Sequence, residues 1–179
     1  MFKKILGRIS WIVANRNYHT KRAYLRKQGA KIGANTRLNC TVGAFGTEPY
    51  LITIGDNCLL AGGVEFFTHD GGVMVLNNLG YFDGKKMDKI APIKIGNNVY
   101  FGQNAMVMPG VTIGNNVIIG AGAIVTRDIP DNVVAVGVPA KVIKSVDEYY
   151  NKALASKQFY PTLGMSAKEK RAFFEKENL

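Results

Sequence analysis

Histidine is the side chain of this sequence best suited to proton transfer, because neutral imidazole titrates close to physiological pH. The chain has two. His19 lies inside a basic N-terminal segment, where a surface position is expected. His69 opens a long stretch rich in Gly and Asn, and it is the candidate general base. The structural alternative is a hydrogen-bonded ring that orders this stretch. Asp70, Glu65 or a backbone carbonyl could orient the ring.

The two cysteines, Cys40 and Cys58, do not have the spacing of a metal site. We therefore predict no metal, and we expect two buried, reduced thiols, as is usual in a cytoplasmic protein. Neither cysteine is near a plausible base in the sequence, so no covalent intermediate is indicated.

A six-residue repeat from residue 95 to residue 130 must position His69. Neither the helical period of 3.6 nor the strand period of 2 explains this spacing. A short strand followed by a tight turn does, so the repeat predicts a parallel β-helix. Glycines at the second places, Gly96, Gly102, Gly114 and Gly120, are expected to supply left-handed backbone angles. The first places are Ile95, Phe101, Val107, Ile113, Ile119 and Val125, and the fifth places are Val99, Ala105, Val111, Val117, Ala123 and Ile129.

Earlier copies of the repeat are interrupted twice. A small loop is predicted near residues 44–50. A longer excursion loop of about 25 residues is predicted over residues 68–92, which is longer than a structural connection usually needs. Long ordered loops on a rigid scaffold are typical places for binding sites. The predicted inward residues of the early coils are Ile32, Leu38, Ile54, Leu60 and Phe66.

The net charge of +10 belongs to the N-terminal segment, because no Asp or Glu precedes Glu48. Apolar residues with helical spacing lie on one side of this segment: Phe2, Ile5, Leu6, Ile9, Ile12 and Val13. Such a basic amphipathic helix could rest on an anionic membrane surface. The alternative, which we favour, is packing across the end of the coil or on a neighbouring subunit. Nucleic-acid binding is not indicated, since no binding module accompanies the charge.

Three segments follow from these patterns. Residues 1–30 are a basic helical segment, residues 31–144 the β-helix, and residues 145–179 a helical extension that begins with capping signals. Capping the open end of the coil would be a sufficient role for the extension. No run of about 20 apolar residues predicts a membrane span, and no signal peptide is recognised.

The hexads, together with Pro109-Gly-Val-Thr-Ile-Gly and Ala135-Val-Gly-Val-Pro-Ala-Lys, resemble the hexapeptide-repeat acyltransferases. The chain is most similar to the branch that acetylates maltose, galactosides and capsular polysaccharide. The resemblance covers roughly residues 30–145. It implies a mainly β, left-handed parallel β-helix, a homotrimer with sites between subunits, and acetyl-CoA as acyl donor. The left hand rests on the resemblance alone, because parallel crossovers are usually right-handed.

The resemblance also implies roles for individual residues. His69 would be the catalytic base, and the backbone near Gly102 and Gln103 would stabilise the oxyanion. Tyr100, which stands where the family commonly has Trp, is a candidate for acceptor binding, as are Asn39 and Asp70. The cofactor-binding residues implied are Gly102, Gln103, Ala121 and Thr126 along pantetheine, and Lys141 and Lys144 at the phosphates.

The sequence therefore predicts an acetyl-CoA-dependent O-acetyltransferase that acts on a sugar or surface polysaccharide by direct attack on the thioester. N-acetylation of an amino sugar or an antibiotic is one alternative, and a structural β-helix without activity is another. A metalloenzyme of the γ-carbonic anhydrase type would need three histidine ligands, and only His69 is near the coil. We expect a cytoplasmic protein, and a location at the inner face of the membrane is compatible with that expectation.

Overall fold

The computed structural model describes residues 11–177. Within this range thirteen strands, most of two or three residues, build three sheets. The strands pair in parallel, except that β13 pairs antiparallel with β12. The first sheet has the order β1-β3-β6-β9, the second β13-β12-β10-β7-β4-β2, and the third β11-β8-β5. From β3 to β11, successive strands belong to the first, second and third sheets in turn, so this part of the chain is a three-sided parallel β-helix.

The strands have the following bounds: β1 Lys31–Ile32, β2 Arg37–Leu38, β3 Ile52–Ile54, β4 Leu59–Leu60, β5 Glu65–Phe66, β6 Ile93–Ile95, β7 Val99–Phe101, β8 Met106–Val107, β9 Thr112–Ile113, β10 Val117–Ile119, β11 Ile124–Val125, β12 Val133–Val136 and β13 Lys141–Ser145. The helices are α1 Tyr18–Lys27, α2 Val73–Asn78, α3 Val146–Ala155 and α4 Ala167–Lys176. Two 3₁₀ turns span Val42–Phe45 and Pro49–Leu51.

The core fills the interior of the coil with the residues that the repeat predicts. Every predicted first-place and fifth-place residue is buried, none more than 5% exposed. One position differs from the prediction, because Ile129 pairs with Ile113 and thus occupies a first place. The last circuit is therefore shorter, with 16 residues between partners at the coil corner where the preceding circuit has 18.

Two side-chain ladders hold one corner of the coil together. At the third place of the hexads at this corner, a side-chain oxygen accepts the backbone N–H of the corresponding residue one circuit earlier, as Asn115 does from Asn97 at 2.9 Å. At the fourth place, asparagine amides bond to one another: Asn98 Nδ2 donates to Asn116 Oδ1 at 2.9 Å, and Asn116 Nδ2 donates to Asn132 Oδ1 at 2.8 Å. The Asn-Asn pairs of the repeat thus connect the circuits.

The left-handed residue of each turn at this corner is the fourth-place asparagine, with φ of 56° at Asn98 and 55° at Asn116. The prediction that the second-place glycines supply this conformation is wrong. Those glycines are required for space instead. A Cβ at Gly96 would lie 2.7 Å from the carbonyl oxygen of Gly114 on the next circuit, and one at Gly102 would lie 2.3 Å from the backbone nitrogen of Ala121.

We predict that Asn116→Ala destabilises the protein by about 2 kcal/mol. The substitution removes two amide hydrogen bonds, and it forces alanine, whose side chain cannot form a hydrogen bond, into the left-handed region. Asn116→Gly keeps the backbone conformation and should cost about 1 kcal/mol less. Urea unfolding of both variants measures the difference. Equal stability of the Ala variant and the wild type would contradict a structural role for the ladder.

The basic N-terminal segment is partly described. Residues 11–14 are helical, and α1 begins at a capping box formed by Asn17 and Thr20. Lys21 Nζ donates to the Leu38 carbonyl at 3.0 Å, and Arg26 donates to the carbonyls of Ile32 and Gly33. These two cations thus satisfy carbonyl groups of the first coil, which agrees with packing on the coil. The apolar residues Phe2, Ile5, Leu6 and Ile9 lie outside the described residues, so the membrane hypothesis stays a prediction.

The chain divides into two compact units after Val146. In the second unit, α4 begins with the predicted capping box, in which Ser166 and Glu169 exchange hydrogen bonds at 2.7 and 3.3 Å. Tyr160 packs against Phe173 and Phe174, which anchor this helix. Among residues 11–177, no helix has both the length and the apolar character needed to cross a membrane.

Candidate active site

His69 lies at the root of the predicted excursion loop. The loop is closed by antiparallel pairing between its two ends: His69 forms a bridge with Ile90, the N–H of Ala91 donates to the Thr68 carbonyl at 2.9 Å, and the N–H of Asp70 donates to the Lys89 carbonyl at 2.9 Å. Thr68 is buried, whereas the His69 side chain is half exposed. The backbone of the candidate base is therefore fixed to the coil while its ring remains accessible.

The small loop before β3 lies one circuit earlier at the same place on the coil. Phe45, at the end of the first 3₁₀ turn, packs on Phe66 with ring centroids 5.1 Å apart. Glu48 and His69 are separated by 21 residues, the same offset as Phe45 and Phe66. The two interruptions of the repeat therefore bring Glu48 to His69.

Glu48 is the partner of the candidate base. Its Oε2 lies 2.9 Å from His69 Nδ1 and accepts a 2.7 Å hydrogen bond from the Thr68 hydroxyl, while its Oε1 accepts one of 2.5 Å from the Thr47 hydroxyl. An ionised carboxylate can only accept, so His69 Nδ1 carries the proton in this hydrogen bond. The lone pair of the neutral ring is then on Nε2, which is the atom that a general base needs.

Three hydrogen bonds lower the pKa of Glu48 to about 2, from the hydroxyl of Thr47, then from that of Thr68, then from His69. The carboxylate is therefore ionised throughout the range in which histidine titrates. Its side chain is 16% exposed, so little water competes for its oxygens. Glu48 can thus hold the Nδ1–H tautomer and stabilise the ring when it takes up a proton.

This depressed pKa predicts how stability depends on pH. Because the folded-state pKa of Glu48 lies below the usual value of 4.5, the stabilisation is fully present above pH 4.5 and is lost as pH falls towards about 2. The difference in unfolding free energy between wild type and Glu48→Gln should shrink over that interval. Glu65→Gln is the matched control on an exposed carboxylate, and it should show no such change. A Glu48→Gln deficit that stays constant from neutral pH to pH 2 would contradict this account.

Neither carboxylate considered in the sequence analysis orients the ring. Asp70 Oδ2 accepts from Lys89 Nζ at 2.7 Å and Oδ1 accepts from the N–H of Gly72 at 2.9 Å, which lowers the pKa of Asp70. Asp70 therefore ties the two ends of the loop together. Glu65 is exposed on β5, in register with Met106. Its position on the strand gives it no part in the hydrogen bonds around His69.

Two of the three predicted acceptor residues, Asn39 and Tyr100, lie on the coil. Asn39 follows β2, donates its backbone N–H to the Leu60 carbonyl at 2.9 Å, and is exposed. Tyr100 is 41% exposed on the outward face of the second sheet, between Leu59 and Ile118 on neighbouring strands. Within residues 11–177, no hydrogen bond joins His69 to Asn39, Tyr100 or Asp70.

Three of the four predicted backbone positions, Gly102, Gln103 and Ala121, lie at the corner that follows the second sheet. The N–H of Gly102 donates to the Ile119 carbonyl at 2.8 Å, so this group is used in the coil and cannot also stabilise an oxyanion. In the part of the chain that the structure describes, the N–H groups of Gln103 and Ala121 have no acceptor. Gln103 is held beside the next circuit by its carbonyl, which accepts from Gly122 at 2.8 Å. Thr126 is exposed just after β11.

The two predicted phosphate-binding lysines share one face of β13. Lys141 pairs with Val136 and Lys144 pairs with Val134, and these two partners are two residues apart on β12. The two lysines are three residues apart on β13, because a bulge in this strand accommodates one additional residue. Because strand residues two apart point to the same side, both ammonium groups project from the same face. The prediction of two neighbouring cations is compatible with this register.

Both cysteines are buried and free, as expected. Burial raises the pKa of the Cys40 thiol to about 11 and also raises that of Cys58. Within the described ranges, no group of three His, Cys, Asp or Glu side chains is arranged to hold a metal ion.

Known proteins with similar sequences and folds were found by comparison. The family described as bacterial transferase hexapeptide (six repeats) matches residues 92–127. Protein CapG of Staphylococcus aureus is 46% identical over 146 residues, which cover 81% of this chain and 83% of that protein. Galactoside O-acetyltransferase of Escherichia coli is 43% identical over 111 residues, 59% of this chain and 51% of that enzyme.

Two solved structures have the same fold. A maltose O-acetyltransferase from Clostridium difficile is 31% identical, with a TM-score of 0.56, and the match covers 80% of this chain and 84% of that one. A galactoside acetyltransferase in complex with coenzyme A is 26% identical, with a TM-score of 0.55, and the match covers 83% of each chain. These matches confirm the predicted fold class, a mainly β, left-handed parallel β-helix with C-terminal helices. The extent and identity of the match to CapG, together with the six repeats, show that this chain belongs to the bacterial hexapeptide-repeat transferases.

Proposed function

We propose that this protein is an acetyl-CoA-dependent O-acetyltransferase that acts on a sugar or a surface polysaccharide. The observation that carries the proposal is the pair of Glu48 and His69, whose 2.9 Å contact leaves Nε2 of the ring able to accept a proton. The relatives support the class of reaction, because they include a galactoside O-acetyltransferase and a maltose O-acetyltransferase. The complex of the galactoside acetyltransferase with coenzyme A supports acetyl-CoA as the acyl donor.

The reaction that we propose is a direct transfer. A hydroxyl oxygen of the acceptor attacks the thioester carbonyl of acetyl-CoA while His69 Nε2 takes the hydroxyl proton. A tetrahedral intermediate forms and then breaks its bond to sulfur. The products are the acetyl ester and CoA, whose thiolate receives the proton from His69. Glu48 remains ionised throughout and stabilises the imidazolium that exists between the two proton transfers.

The oxyanion needs hydrogen-bond donors in a fixed place. We propose the N–H of Gln103 for this role, in place of Gly102, whose N–H is used within the coil. The N–H of Ala121, at the same corner as Gln103, and the exposed Thr126, at the next corner after β11, would receive the pantetheine amides. Lys141 and Lys144, on one face of β13, would contact the phosphates of CoA as flexible point charges.

For the acceptor, we propose Asn39 and Tyr100 as contacts. Tyr100 offers an exposed aromatic surface with a hydroxyl. Tyr100 lies on the outward face of the second sheet, whereas His69 follows β5 of the third sheet. We therefore propose that the acceptor is bound between neighbouring subunits, where groups on different faces of two coils come together. A homotrimer would create three equivalent sites of this kind. Sedimentation equilibrium, which gives the mass of the assembly in solution, tests this part of the proposal.

The decisive experiment measures the release of free CoA thiol from acetyl-CoA across a panel of simple sugars, amino sugars, capsule fragments and antibiotics. We expect a sugar or glycan hydroxyl to stimulate release and the product to be an ester that mild base hydrolyses. An alkali-stable amide on an amino sugar or antibiotic would overturn O-acetylation in favour of N-acetylation. Absence of acetyl-CoA binding would overturn the enzyme assignment and favour a structural β-helix.

A further inference from the structure

A basic groove of about 420 Å³ lies where α1 meets the outward edge of the second sheet. Tyr18, His19 and Arg22 line it from the helix, and Asn35, Arg37 and Leu59 line it from the coil. No Asp or Glu is among the residues that line it. The groove is therefore positively charged, and no carboxylate in its lining neutralises the two arginines.

Arg22 is held in this groove by one hydrogen bond of its guanidinium group. Its Nη2 lies 3.2 Å from His19 Nδ1, and its guanidinium carbon lies 5.8 Å from the centre of the Tyr18 ring. Its Nε is buried and has no hydrogen-bond partner within the described chain. A buried donor without an acceptor is costly, so such a group in a folded protein needs an explanation. The terminal Nη1 also has no hydrogen-bond partner in the described chain and is not buried, so an anion in the groove can reach the guanidinium there.

Arg37 is the second cation of the groove. In the described part of the chain, its guanidinium has neither a hydrogen bond nor an ion pair. Lys21 and Arg26 differ, because their charged groups bind backbone carbonyls of the coil. Lys21 and Arg26 are thus used for packing, whereas Arg22 and Arg37 remain for an external partner.

We propose that the basic groove binds the anionic group of a charged saccharide, a phosphate or a carboxylate. Two guanidinium groups match the bidentate geometry of such anions. His19 adds a third donor, because its Nδ1 accepts from Arg22 and the neutral ring then carries its proton on Nε2. Tyr18, which is 39% exposed, offers a ring face to the sugar, and the amide of Asn35 offers partners for hydroxyl groups.

The groove is continuous with a second one along the same sheet. Arg37, Asn57 and Leu59 line both, and the second groove contains Tyr100, a proposed contact of the acceptor. Arg37, Leu59 and Tyr100 are also in register on successive strands β2, β4 and β7. This inference rests on the proposed function, because the anionic saccharide is the acceptor of the proposed acetyl transfer. Its charged group would lie in the basic groove.

Calorimetric titration without acetyl-CoA tests the inference separately from catalysis. Glucose 1-phosphate, glucuronic acid and neutral glucose are titrated into the wild type, Arg37→Gln, the double variant Arg22→Gln/Arg37→Gln, and His69→Ala. Arg127→Gln, which removes the same charge at an exposed position, is the matched control. Circular dichroism checks that each variant is folded, and Arg37→Gln breaks no side-chain hydrogen bond of the described chain.

We expect the wild type, Arg127→Gln and His69→Ala to bind at least one anionic sugar about tenfold more tightly than glucose, and the double variant to lose this preference. The arm that binds, phosphate or carboxylate, identifies the anion. Equal binding of charged and neutral sugars by the wild type, or binding of none of them, would overturn the inference. So would a preference that survives in the double variant. In a separate titration with CoA alone, loss of CoA affinity in Arg37→Gln would also overturn the inference and would reassign the groove to the donor phosphates. Failure of the proposed function would appear separately, as absence of thiol release.

Discussion

Replacing His69 with alanine lowers the rate of acetyl transfer by about 10²–10⁴-fold, the usual contribution of a positioned general base. The hydroxyl of a sugar is a weak nucleophile until its proton is removed, and His69 Nε2 is the group that we propose removes it. Within residues 11–177, the half-exposed ring has one side-chain hydrogen bond, with Glu48. The variant should therefore fold normally and bind CoA with unchanged affinity.

The effect is measured as a single turnover with bound acetyl-CoA, so that release of product does not hide the chemical step. Lys86→Ala, an exposed substitution in the same loop, is the control and should react at the rate of the wild type. Added imidazole should restore part of the lost rate in His69→Ala. A rate within about threefold of the wild type, with CoA bound normally, would mean that His69 is the ordering residue of the loop and not the base.

Replacing Glu48 with glutamine lowers the same rate by about 10²-fold, although the volume of the side chain hardly changes. The neutral amide can present its NH₂ group to His69 Nδ1, which selects the tautomer that carries its proton on Nε2 and cannot act as a base. The amide also cannot stabilise the imidazolium as a carboxylate does. Affinity for CoA should again be unchanged, because the Glu48 carboxylate is engaged by Thr47, Thr68 and His69.

Glu48→Asp separates charge from geometry in this prediction. It keeps the negative charge but shortens the side chain, so we expect a smaller loss than with glutamine, together with a rate that depends on pH as in the wild type. Glu65→Gln removes an exposed carboxylate on β5, shortly before the loop, and should leave the rate unchanged. If Glu48→Gln retained the full rate, the 2.9 Å contact with His69 would have only a structural role.

The interior of the coil is predictable from the sequence because each circuit repeats the same physical problem. A large apolar residue at the first place must point inward wherever a short strand alternates with a tight turn, and Phe101, Val107 and Ile119 are all fully buried. The excursion loop is predictable for the same reason, since a strict repeat makes its interruption obvious. The two short ladders of side chains at one corner are harder to predict from the sequence, because they depend on which corner of the coil each hexad occupies.

Glu48 escapes prediction because its partner is one circuit away and not near in sequence. The signal exists: Glu48 is the first acidic residue of the chain, it lies in the first interruption of the repeat, and it precedes His69 by the same 21 residues that separate Phe45 from Phe66. Reading the two interruptions as stacked loops would have found it. The basic groove has no such signal, because the N-terminal charge alone does not distinguish Arg22 and Arg37, which line the groove, from Lys21 and Arg26, which bind the coil.

The most direct test of the central claim is the single-turnover rate of acetyl transfer in Glu48→Gln, in His69→Ala and in the variant that carries both changes. If Glu48 acts through His69, removing the ring abolishes the role of the carboxylate, and the double variant reacts at the rate of His69→Ala. A double variant in which the two losses multiply would contradict the account, because the two residues would then contribute to acetyl transfer independently.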